Sequence, residues 1–109
     1  DIARRIVALR KQLERGIEAI PGLQVVGTPA AAHLFFASET LDIFAIDERL
    51  EARGYLTARA WYPDSLQIWT NLSHEGGAID LFLANLSEVV LEVRAGTIRA
   101  SNREAVYSR

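Results

Sequence analysis

Six apolar side chains, Ile2, Ile6, Leu9, Leu13, Ile17 and Ile20, follow one another at intervals of four, three, four, four and three residues. That spacing puts all six on one stripe of an α-helix. Arg4, Arg5, Lys11, Gln12, Glu14, Arg15 and Glu18 fall largely off the stripe, so the helix has one face to bury. Pro21-Gly22 ends it, because proline cannot continue a helix and glycine tolerates positive φ. Leu23-Gln24-Val25-Val26-Gly27 then reads as a short strand, Thr28-Pro29 as a turn, and His33 to Ser38 as a second apolar strand. The chain therefore begins as a one-faced helix that must cover a sheet.

The same succession returns. A helix is expected from about Asp42 to Arg53, burying Ile43, Ile46 and Leu50 with Phe44 at its margin. Thr40 or Asp42 suits its N-cap, and Gly54 its stop. Tyr55 to Ala60 alternates as a strand does. Tyr62-Pro63-Asp64-Ser65 is turn chemistry, and Leu66, Ile68 and Thr70 then alternate against Gln67, Trp69 and Asn71. A last helix starts near Ser73 or His74, with Ile79, Phe82, Leu83, Leu86, Val90 and Val93 as its stripe. The order αββαββα predicts an α+β two-layer sandwich of ferredoxin-like character, helices on one face of a single sheet. Residues 1–93 make the domain, and 94–109 an irregular basic tail.

Composition narrows the function. With 109 residues, half of them hydrophobic, one modest core is possible. The absence of cysteine excludes disulfides and thiolate chemistry. No apolar run approaches the ~20 residues of a membrane span, and the first residues lack the apolar core of a signal peptide. A cytoplasmic protein is expected. The chain contains no methionine, so it reads as a segment of something longer. Residues 1–93 carry eight basic and thirteen acidic side chains, whereas Arg94, Arg99, Arg103 and Arg109 face only Glu104. These tail charges are spread out, without interleaved aromatics, and suggest no nucleic-acid partner.

Little here suggests catalysis. His33 and His74 stand without metal-ligand spacing. Ser65, Ser73 and Ser87 lie in no nucleophile elbow. Gly76-Gly77 opens a helix but completes no phosphate loop. Asp47, Glu48 and Glu51 read as helix-surface carboxylates, spaced to pair with Arg49, Arg53 or solvent. Schiff-base chemistry needs a desolvated lysine, and the single lysine, Lys11, is on the charged side of the first helix. No catalytic residue is assigned. The best remaining cluster is aromatic and polar. Arg59 offers a fork of donors for a carboxylate or phosphate, with Tyr62, Asn71 and His74 as further substrate-binding candidates. Trp61 and Trp69 suit an interface or a pocket rim as well as a sheet face, and Tyr107 is a further interface candidate.

Three blocks carry a resemblance: Leu13 to Leu23, Leu41 to Tyr55, and Ser65-Leu66-Gln67-Ile68-Trp69-Thr70-Asn71-Leu72-Ser73-His74. Their order and spacing are similar to the small C-terminal domain of pyridoxal-phosphate enzymes of the aspartate-aminotransferase fold, within the group of decarboxylases and sphingosine-1-phosphate lyases. Glu104-Ala105-Val106-Tyr107 resembles the segment after the last helix in the lyases. The resemblance implies a homodimeric parent whose large domain binds pyridoxal phosphate, while the small domain closes over the substrate. The parent reaction would be carbon–carbon cleavage of a phosphorylated long-chain amino alcohol, or amino-acid decarboxylation. Two other readings compete. A free-standing ligand-binding module would have a closed core and solvated faces. A dimerisation domain would make a symmetric contact through Trp61 and Trp69. A tail that wraps a missing partner should be poorly packed on its own domain.

Overall fold

The computed structural model describes residues 1–102. Its elements are α1 (Ile2–Glu18), β1 (Gln24–Ala30), β2 (His33–Ala37), α2 (Ile43–Ala52), β3 (Ala58–Ala60), β4 (Ser65–Trp69), a 3-10 turn (Leu72–His74) and α3 (Ala78–Gly96). The four strands form one sheet in the order β1-β2-β4-β3, with every neighbouring pair antiparallel. Each helix–strand–strand unit thus supplies one hairpin, and the hairpins meet at β2 and β4. β2 and β3 run parallel with β4 between them and are joined through α2, a split βαβ unit that matches the ferredoxin-like character expected.

All three helices share one core with the sheet. Leu13 and Ile17 of α1, Ile46 and Leu50 of α2, and Leu86, Val89, Val90 and Val93 of α3 are fully buried with Leu34, Phe36 and Leu66. Phe44, expected at the margin of α2, is fully buried too. The α1 stripe is less uniform than its spacing suggests, since Ile2 at the helix start stays exposed. Gly16 lets α1 and α3 touch: a Cβ there would sit 2.1 Å from the Leu83 side chain.

Local chemistry sets the boundaries. Asp1 caps α1, and Asp42 caps α2 by accepting from Phe44 N–H at 3.0 Å. Thr28-Pro29 is not a turn but lies inside β1, where the ladder is irregular between Val26 and Ala30. Proline is tolerated because β1 is an edge strand. The hairpin turns instead at Ala31, with φ of 49°. The last helix does not begin at Ser73 or His74. Asn71 and His74 close a separate 3-10 turn, and Gly76 and Gly77, with φ of 78° and 95°, redirect the chain into α3.

Candidate functional site

Two ends of the sheet collect the residues nominated from sequence. At the first, α2 faces β3. Arg59 lies opposite Leu66 in the β3–β4 ladder, so its side chain enters the helix-covered side of the sheet. There its Nε donates to Asp47 Oδ2 at 2.7 Å, with both side chains essentially fully buried. Thr57 donates to the other oxygen of Asp47 at 2.6 Å. The guanidinium lies over the Phe44 ring, 4.8 Å from its centroid, a favourable cation–π placement. Arg59 is therefore an internal strut, its fork engaged by its own domain rather than held out for a substrate carboxylate.

The expectation for the α2 carboxylates is corrected accordingly. Asp47 is buried instead of lying on the helix surface. Arg49 and Arg53 turn to α3, where Arg53 bonds Asn85, Glu88 and Glu92 at 2.9 to 3.1 Å. Glu48 holds the chain that follows α3. Its carboxylate accepts from Ser101 N–H, Ser101 Oγ and Asn102 N–H, each at 2.9 Å. Asp42 accepts from Ala100 N–H at 2.9 Å, and Arg59 donates to the Asn102 carbonyl. Burial pushes the Glu48 carboxyl upward, but the Ser101 and Asn102 donors, with Arg59 nearby, hold it below the usual glutamate range. Residues 97–102, part of the tail expected to be irregular, thus have no regular structure yet are clamped to their own domain. Helical spacing alone gave no sign of this, because the partners lie more than forty residues away. Tyr107 lies outside the described residues.

The second end is open and apolar. Trp69 is 57% exposed and stacks at a tilt on His33, 4.7 Å between centroids. Both belong to the sheet face opposite the helices, with Phe35 and Gln67. Trp61 instead meets Phe44 edge-on at 5.6 Å on the helix side. The two tryptophans therefore do not form one patch. Tyr62, at the tip of the β3–β4 hairpin, is 100% exposed.

Between Tyr55–Ala58 and Gln67–Thr70 a groove of about 340 Å³ opens, floored by Leu13, Ile79 and Phe82. His74 stands at its rim. The His74 Nδ1 accepts from Asn71 N–H at 3.0 Å, which leaves Nε2 to carry the proton of the neutral ring. Asn71 accepts from Ser73 N–H at 2.9 Å and so acts as a cap. The structure brings His74 and Trp69 to this groove with Asn71 beside them. It leaves Arg59 and Tyr62 elsewhere.

Lys11 is exposed on α1, beside Ala3, Arg4, Val7 and Ala8. An aldehyde cofactor needs a desolvated amine, so the described residues do not fit a pyridoxal-phosphate anchor. Among them, no group of three or more metal-ligating side chains converges, and no helix is long and apolar enough to cross a membrane.

No protein-family model matches the sequence. A sphingosine-1-phosphate lyase from Oryza sativa subsp. japonica is 34% identical over 90 residues, 83% of this chain and 16% of the rice protein. The chain is a homologue of the sphingosine-1-phosphate lyases. As a lyase homologue, it spans about a sixth of the length of the curated relatives it matches. The sphingosine-1-phosphate lyase of Burkholderia pseudomallei shares the fold with a TM-score of 0.79 at 24% identity, over 86% of this chain and 21% of that one. The lyase C-DES, solved with glycine linked to its pyridoxal-phosphate cofactor, matches with a TM-score of 0.66 at 21% identity, over 79% of this chain and 23% of its own. The fold is that of the small domain of aspartate-aminotransferase-like enzymes.

Proposed function

We propose that this chain is the C-terminal small domain of a pyridoxal-phosphate-dependent carbon–carbon lyase acting on a phosphorylated long-chain amino alcohol. In this reading the parent is a homodimer. Its large domain carries the cofactor, which supplies the electron sink. The small domain supplies a lid and an interface. The observation that carries the reading is the 34% identity over 83% of the chain to a sphingosine-1-phosphate lyase.

The geometry supports a domain role. One sheet face is covered by three helices, while the other presents Val26, His33, Phe35 and Trp69 at least partly exposed. We assign that face to docking against the large domain, since a half-covered apolar sheet is a natural interface. Tyr62, fully exposed at the hairpin tip, is assigned to contact beyond the domain. Trp61, partly exposed beside it, is a secondary contact.

The test is the intact native mass and absorbance of the protein that carries these peptides. A mass several times 12.1 kDa, with pyridoxal-phosphate absorbance, is expected. A native mass near 12.1 kDa, without the cofactor, would overturn the reading in favour of a free-standing binding module.

A further inference from the structure

We propose that the groove beside β4 receives an extended segment of the parent polypeptide from outside these 109 residues, added as a short strand against Trp69. The proposal rests on the reading of the chain as one domain of a longer lyase.

The backbone pattern identifies the position. Residues of an antiparallel strand point their N–H and C=O groups alternately to one neighbour and the other. Thr70 N–H donates to the Ala32 carbonyl at 2.7 Å, toward the β2 side. Ile68 opposite Leu34 and Leu66 opposite Phe36 share its parity. The N–H and C=O of Gln67 and Trp69 therefore point to the β3 side. Gln67 finds Ala58 there. The same register would put Leu56 opposite Trp69, but β3 begins only at Ala58. The Leu56 side chain is instead 70% exposed. The chain peels off β4 one pair too early, and the groove lies in the gap.

The chemistry of the gap selects the occupant. A strand edge with one outward donor and acceptor matches one residue of an extended peptide, and the apolar floor takes that peptide's alternate side chains. No Arg, Lys, Asp or Glu lines the groove. Apart from His74 at its rim, the groove offers no counter-charge to a phosphorylated or otherwise charged small molecule. A polypeptide source is at hand, because the curated relatives are roughly six times longer than the stretch matched here.

The test uses the full-length natural protein with a photo-cross-linking benzoylphenylalanine at Leu56, a position without a buried side chain. The expected adduct is a peptide of the same polypeptide outside residues 1–109. Amide exchange at Trp69 in the unmodified protein should be at least about 100-fold slower than in a free peptide, as for a protected strand residue. An adduct to a co-purifying small molecule or to a second subunit overturns the proposal. So does the absence of any adduct combined with Trp69 exchange near the free-peptide rate. Mass and cofactor absorbance of the same sample separate the two ideas. A large cofactor-bearing protein with an open groove sinks only this inference, whereas a 12.1 kDa protein sinks the lyase reading first.

Discussion

The two ends of β3 and β4 obey opposite rules. At the hairpin end, Arg59, Asp47, Thr57 and Glu48 bind one another and residues 101 and 102 through a closed set of hydrogen bonds and ion pairs. At the far end, Trp69 and Leu56 are mostly exposed around an apolar groove. Buried charge is tolerable only when satisfied internally, so the first end belongs to the domain itself. Exposed apolar surface is costly only in water, so the second end fits the docking role proposed for it. Sequence chemistry alone nominated Arg59 as a ligand clamp, and left Trp69 open between an interface or pocket rim and a sheet face.

The sharpest way to break this contrast is to remove half of the buried pair. Arg59→Leu leaves Asp47 buried and uncompensated, with an expected loss of about 3–5 kcal/mol in denaturant unfolding. A loss under about 1 kcal/mol would mean that Arg59 is not a strut. Packing between α1 and α3 comes next. Gly16→Val drives a side chain into Leu83, and overpacking of this kind costs about 1–3 kcal/mol. The tail clamp is weaker. Glu48→Gln keeps the shape but not the charge, and an expected loss of about 1–2 kcal/mol should appear as faster amide exchange at Ser101 and Asn102.

The clamp also has a pH signature. The folded Glu48 pKa is below its unfolded value, so the clamp contributes fully above the ordinary glutamate value of about 4.3 and fades as pH falls through the folded value. Exchange protection at residues 101 and 102, corrected for intrinsic rates, should be flat between about pH 7 and 5 and vanish only in stronger acid. A loss already near neutrality would contradict the assignment. The smallest effect is expected at the open end. Trp69→Ala or Leu56→Ala should change the stability of the 109-residue chain by no more than about 0.5 kcal/mol. A cost comparable to Arg59→Leu would erase the distinction between the two ends.

Much of the architecture was legible because it depends on periodicity. The stripe through Leu13 and Ile17, the cap at Asp42 and the alternation through Leu66 all reappear as α1, α2 and β4. Errors occurred where long-range contact overrode local pattern. Thr28-Pro29 carries turn residues yet lies in β1, because an edge position needs no donor from proline. Tyr55 to Thr57 alternates like a strand, but only Ala58–Ala60 pairs. At the site, the sequence grouped His74 and Trp69 with Arg59, Trp61, Tyr62 and Asn71, whereas His74 and Trp69 line the groove and Arg59 and Tyr62 do not. The role of Glu48 was not legible, because its partners at Ser101 and Asn102 come from the far end of the chain.

The order β1-β2-β4-β3 leaves the weakest strands outermost. One margin is a bulged strand containing Pro29, and the other is three residues long. Neither offers a long flat ladder to a foreign strand, which is how sheet proteins avoid indiscriminate self-association. On the function proposed above, a domain that exposes part of its surface until a large companion folds would therefore wait in a crowded cell without recruiting copies of itself.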